Sequence, residues 1–256
     1  LIAMPRRLAP LVLVLACRGE SAGVEREEPL EHDAERSVAR ELPVARELPV
    51  ARESPVEPAP LPCVLVEPPP GFVDLRERIP SLEIVAGYHR ADNFTGAPLP
   101  GYAAAGAWFD ADAAEALARV AERLAADDRG LLVYDAYRPR RASAAMVAWA
   151  RAQGRESLLH EGWVAERSLH NRGVAIDVGL VRRSDRARID MGSDWDHFGP
   201  RSTLRGVEGE PLRERLRLRD AMLAEGFEPY AREWWHFTWR TDAPGPARDE
   251  PYRCRP

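Results

Sequence analysis

All 7 Trp, 6 Tyr and 6 Phe of this chain lie at or beyond Phe72. Aromatic rings supply much of the area buried in a folded core, so the folded part is expected to begin within residues 63–72. Upstream, the hexapeptide VARELP (38–43) recurs at 44–49 and, as VARESP, at 50–55. A proline every sixth residue breaks any continuous helix, and a six-residue period is too short for a helical solenoid unit. With nine prolines from Pro43 to Pro70, this stretch reads as an extended, disordered tether that buries no core of its own.

The segment ahead of the tether has its own logic. In MPRRLAPLVLVLAC (4–17), Arg6 and Arg7 precede a short apolar run that ends at Ala16-Cys17, the order of an export signal. That run is about half the length a membrane-spanning helix needs. The sequence before Cys17 resembles the lipobox of bacterial lipoproteins, which implies a lipid on Cys17; an ordinary signal peptide with an incidental cysteine is the plainer alternative. The expected organisation is a leader at 1–17, a Pro/Glu/Arg-rich linker at 18–62 and one folded domain at 63–256. If Cys17 is lipidated, Cys63 and Cys254 remain, bracketing the aromatic-bearing region. In an oxidising compartment they can form a bridge. The expected location is therefore the cell envelope or periplasm, on a membrane anchor.

Composition removes several function classes. The 36 basic residues are all arginine. Without lysine the chain cannot carry a Walker P-loop, a Schiff base or a lysine nucleophile. A net charge of −5 argues against a nucleic-acid partner held by counterion release.

Within the domain, Asp110 is a candidate N-cap for a helix with Leu117, Val120 and Leu124 on one face and Gly130 as its stop. Strands are expected at 131–137, 174–181 and 233–240, and helices from Pro139 to Gly154 and over 211–227. Their irregular alternation favours an α+β fold over a doubly wound sheet.

Three segments carry chemistry. In SLHNRGVAIDVG (168–179), Asp177 interrupts an apolar run; a lone buried carboxylate is costly and needs a cation, a hydrogen-bonding shell or a proton. His170 stands seven residues earlier, and His with Asp suits Zn²⁺, although an arginine partner is the commoner answer. In EWWHF, Glu233 and His236 would point to opposite faces of a regular strand; a turn or bulge would bring them together, and the spacing does not decide. In YDAYRP, Arg138 follows a strand and precedes a proline. It is placed either to stabilise an oxyanion or to pair with Asp135.

Together these segments, with DNFTG (92–96) and MGSDWDHF (191–198), resemble the VanX-type D-alanyl-D-alanine dipeptidases of the hedgehog-like zinc peptidase group. The resemblance implies a single α+β zinc peptidase domain with a central antiparallel sheet flanked by helices. It implies one Zn²⁺ on His170, Asp177 and His236, with Glu233 as the base that moves a proton from the attacking water to the leaving amine. Arg138 would stabilise the oxyanion. Ser168, Asp196 and Tyr88 would hold the free ammonium of a small dipeptide substrate. Two alternatives are an exported D,D- or L,D-carboxypeptidase trimming peptidoglycan stem peptides, and a lipoprotein that binds wall peptides without cutting them.

Overall fold

The structure is a computed structural model and describes residues 63–256; the expected leader, Cys17 and the repeat tether lie outside the described residues. Its elements are β1 (Phe72–Asp74), α1 (Leu75–Arg78), β2 (Glu83–Ile84), β3 (Trp108–Asp110), α2 (Ala111–Ala125), β4 (Arg129–Asp135), α3 (Arg140–Ala152), α4 (Ser157–His160), β5 (Ala175–Arg182), α5 (Gly209–Ala224), β6 (Phe227–Pro229) and β7 (His236–Trp239). β1 and β3 form a two-stranded antiparallel sheet, and the main sheet has five strands in the order β2-β4-β5-β7-β6. Its pairings are antiparallel except for β2, which runs parallel to β4. The fold is α+β, as expected, with a mixed edge.

Local chemistry explains the main elements. Asp110 accepts hydrogen bonds from the Asp112 and Ala113 amides and caps α2. Leu117, Val120 and Leu124 of that helix are buried. The helix stops at Ala125 rather than at Gly130, which lies inside β4. Asp128 makes the turn instead: its backbone is left-handed (φ 57°), and its carboxylate accepts from the Ser184 amide and hydroxyl beside the end of β5.

The apolar run of β5 is sorted by strand alternation. Ile176, Val178 and Leu180 join a core with α2 and α5 that also holds Trp235 and Phe237 of the β7 segment. Burying each such side chain contributes about 1.5–3 kcal/mol. A second cluster gathers Tyr88, Tyr102, Trp108, Tyr137, Met146 and Tyr252.

Tyr252 draws the C-terminal segment into this second cluster. Its hydroxyl accepts from the Trp108 amide (3.0 Å) and donates to the Tyr137 carbonyl (2.8 Å). A β-carbon on Gly106 would lie 2.0 Å from the Tyr252 ring, so only glycine fits beneath it. Cys63 and Cys254 are disulfide-bonded, with Cα atoms 5.2 Å apart.

Candidate active site

Register builds the site. Asp177 of β5 lies opposite Asp135 of β4 on one side and His236 of β7 on the other. The neighbours Ile176, Val178, Trp235 and Phe237 all enter the first core. Alternation therefore turns Asp177 and His236 to the opposite face of the sheet.

His170 arrives from a different element, a 3-10 turn over Leu169–Arg172. Ser168 caps that turn, its hydroxyl accepting from the His170 amide, while the Asn171 side chain accepts from the Ser168 amide. Gly173 ends it with φ 69°. A β-carbon there would sit 2.5 Å from the Phe72 ring, so both the conformation and the space require glycine. The turn docks on the Arg138 segment, with the Arg138 amide donating to the His170 carbonyl and the Asn171 amide group donating to the Arg138 carbonyl.

Three ligand-type atoms then converge. His170 Nδ1 donates to the Ala136 carbonyl at 2.7 Å, which fixes its tautomer and leaves Nε2 as a lone-pair acceptor. That Nε2 faces His236 Nδ1 at 3.2 Å and Asp177 Oδ1 at 3.3 Å, and His236 Nδ1 lies 3.0 Å from the same oxygen. One ligand atom from each residue falls within 4.8 Å of the others. Burial lowers the pKa of His236 and favours the neutral imidazole that a metal requires. Burial pushes the Asp177 carboxyl up, but His170 and His236 hold it well below its ordinary value. Two neutral nitrogens and a carboxylate around one point suit a borderline divalent cation.

Glu233 stands beside this trio without belonging to it. β7 begins only at His236, a shorter strand than the expected 233–240. The preceding residues form a turn in which the Glu233 amide donates to the Tyr230 carbonyl and the His236 amide to the Glu233 carbonyl. This turn answers the strand-periodicity conflict: Glu233 Oε2 comes to 3.9 Å from His236 Nδ1. Burial, reinforced by Asp177 and Asp196, raises the Glu233 pKa well above the ordinary range.

Of the two placements expected for Arg138, the structure shows the ion pair with Asp135. The pair is 2.9 Å long, and Arg138 reaches to 3.7 Å from Asp177 Oδ2. Its guanidinium also lies 5.0 Å from the centre of the Tyr88 ring. Burial opposes its charge, yet Tyr88 and the Asp135 and Asp177 carboxylates raise its pKa.

Asp135 has a larger part than an ion-pair partner. It accepts from Tyr102 at 2.5 Å and from Arg138, and lies 3.3 Å from His170 Nδ1. In the sequence it stood out only as a partner for Arg138.

Tyr88 donates to Asp196 Oδ2 at 2.9 Å. Burial, with Asp177 adding to it, raises the Asp196 pKa well above normal. Asp196 holds a left-handed backbone (φ 59°), a region that aspartate enters more readily than most residues with a β-carbon. Tyr88, Ser168 and Asp196 line the same cavity of about 460 Å³ as Arg138, Asp177, Glu233 and His236. Sequence reasoning did not single out the aromatic wall of that cavity, Phe94, Trp163, Phe198 and Tyr230. Phe94 belongs to DNFTG, where Asn93 closes a self-contained turn through Arg90, Thr95 and Ala97. His89 turns away to the Tyr102 carbonyl, and His160 ends the short helix α4.

A cation site of two imidazoles and a carboxylate, flanked by a buried acid outside the set, defines the class: a metallopeptidase. The chain belongs to the Peptidase_M15 family, described as D-ala-D-ala dipeptidase, whose model matches residues 69–255. It is 34% identical over 197 residues to a D-alanyl-D-alanine dipeptidase of Enterococcus faecium, covering 71% of this chain and 94% of that one. A protein of the same description from Streptomyces coelicolor is 35% identical over 182 residues (65% of this chain, 89% of the relative). Another from Escherichia coli is 34% identical over 186 residues (72% and 92%).

Proposed function

We propose that this chain is a zinc-dependent dipeptidase that hydrolyses D-Ala-D-Ala to two molecules of D-alanine. The observation that carries the reading is a cluster of His170, Asp177 and His236 ligand atoms at a cavity lined by Asp177, His236, Glu233 and Asp196, with Glu233 outside the set and Asp196 bonded to Tyr88. The donor set suits Zn²⁺, and the ion, when bound, supplies Lewis acidity toward a water molecule and the scissile carbonyl.

The chain's own groups do the rest. Glu233 takes a proton from the attacking water and delivers it to the amide nitrogen as the C–N bond breaks. Its raised pKa suits a group that must carry the proton between the two transfers. Arg138 donates to the carbonyl oxygen as negative charge develops there. Asp196, with Tyr88 and Ser168, receives the substrate's free ammonium. A buried acceptor built for that group rejects a peptide lacking it, which favours dipeptides over longer chains.

A location goes with the function. The lipobox-like sequence before Cys17 supports a lipid-anchored protein of the cell envelope, and the Cys63–Cys254 bridge supports an oxidising compartment. Among the described residues no helix is long and apolar enough to cross a membrane.

The test is incubation of the full chain with D-Ala-D-Ala and with a stem pentapeptide, each with and without chelator. Chelator-sensitive release of D-alanine from the dipeptide alone is the expected result. Cleavage of the pentapeptide would turn the reading to a carboxypeptidase, and cleavage of neither to a wall-peptide-binding lipoprotein.

A further inference from the structure

Arg215, on α5, is fully buried at 0% exposure, and among the described residues no carboxylate pairs with it. Burial, with Arg201 nearby, pushes its pKa down to about 10. A buried cation without a counter-ion is a costly choice where an apolar side chain would fill the space.

What the guanidinium does instead is collect oxygens from one segment. It donates to the carbonyls of Met191 (2.6 Å), Arg201 (2.9 Å) and Thr203 (2.7 Å), and to the hydroxyl of Ser193 (3.1 Å). All four acceptors lie in residues 191–203, and Asp196 is near the middle of that stretch. The Ser193 hydroxyl also accepts from the Trp234 indole at 3.0 Å, and the guanidinium lies 5.3 Å from the centre of the Trp234 ring. Trp195, within the same stretch, donates to Asp177 Oδ2 at 3.3 Å.

Asp196 itself makes a left-handed turn in the backbone (φ 59°). Arg215 is the group that ties both flanks of Asp196 to a helix.

We propose that Arg215 is a positioning residue: by gathering the 191–203 segment it sets Asp196 where a substrate's ammonium is received. The proposal rests on the dipeptidase reading and adds to it a determinant remote from the reacting atoms. Glu233 is bonded to Tyr230 and His236, but its neighbour Trp234 is anchored on Ser193 and Ser202 of the gathered segment, so loss of Arg215 acts on substrate binding and reaches turnover as well.

The experiment compares the full-length chain with Arg215→Met and Ser193→Ala after zinc loading. It measures KM and kcat on D-Ala-D-Ala, zinc content, and hydrogen exchange over 191–203. Arg215→Met should raise KM by about ten-fold or more, with a smaller fall in kcat and zinc content unchanged. Ser193→Ala, which removes the acceptor shared by Arg215 and Trp234, should raise KM by about three-fold. In both variants the 191–203 amides should exchange faster while those of β4 and β5 do not.

An unchanged KM and an unchanged exchange rate in folded variants, even with a lowered melting temperature, would overturn the proposal. If Arg215→Met does not fold, Ser193→Ala decides by the same two readings. If the unaltered chain does not cleave the dipeptide, the dipeptidase reading fails, and hydrogen exchange alone then decides whether Arg215 holds the segment.

Discussion

The division of labour among residues rests on which atoms can take a proton and which cannot. His170 Nδ1 is engaged with the Ala136 carbonyl, so Nε2 is the nitrogen it presents to a metal. His236 has its Nδ1 against Asp177 and His170. Replacing it with alanine takes away one of three ligand atoms. His236→Ala should lose stoichiometric zinc on dialysis, read by atomic absorption; tightly retained zinc would remove His236 from the ligand set. Glu233 lies outside that set. Glu233→Ala should therefore keep its zinc and lose turnover by about 10² to 10⁴-fold, the range of general-base loss. Loss of zinc along with activity would make Glu233 a ligand instead. Asp177, His170, Glu233, His236 and Arg138 stood out in the sequence as polar groups in or beside apolar runs, but their roles, and Tyr88, Ser168 and Asp196 altogether, came from the resemblance to the dipeptidases. Asp135 was legible only as a partner for Arg138, since its contacts with Tyr102 and His170 join residues distant in the chain.

Among the elements, legibility followed length. α2, α3, α5, β4 and β5 fall close to their expected positions: α2 by its apolar periodicity, β4 and β5 by their apolar runs, and α3 by its flanking Pro139 and Gly154. β1, β2 and β3 have three residues or fewer and exist through pairing with distant partners, which no local pattern announces. The Glu233 turn was hidden for another reason. EWWHF has the aromatic content of a strand, but its start is bent by anchors elsewhere: the Trp234 amide donates to the Ser202 carbonyl and its indole to Ser193. The turn that carries His170 depends on a single glycine, and this can be tested. Gly173→Ala would need a left-handed alanine whose β-carbon meets the Phe72 ring. Shifting the turn moves His170 off the Ala136 carbonyl. Loss of such a supporting contact typically costs 10- to 100-fold in metal affinity, and zinc affinity should fall by about that factor in a competition titration. Unchanged affinity would mean that the turn tolerates the shift.

At the scale of the whole molecule, the C-terminal segment closes the domain on itself. The Arg248 amide donates to the Asn171 carbonyl and the Arg140 amide to the Arg248 carbonyl; Arg141 pairs with Asp249. Tyr252 is held by Trp108 and Tyr137. These bonds join the strap to the segments bearing Arg138 and His170 without help from the disulfide. The disulfide spans 191 residues, so its main effect falls on the unfolded chain, whose entropy it lowers by the equivalent of about 5 kcal/mol in the loop-closure account. For a domain of this size that corresponds to roughly 10–20 °C in melting temperature. Reduction, or Cys63→Ser with Cys254→Ser, should lower the melting temperature by about that amount. Activity on D-Ala-D-Ala at 25 °C should stay within about two-fold, because the native contacts of the strap remain. Thermal melts paired with rate measurements in the oxidised and reduced protein separate the two effects. Activity lost at 25 °C as the bridge opens, with the domain still folded, would mean that the bridge itself holds the strap against the site.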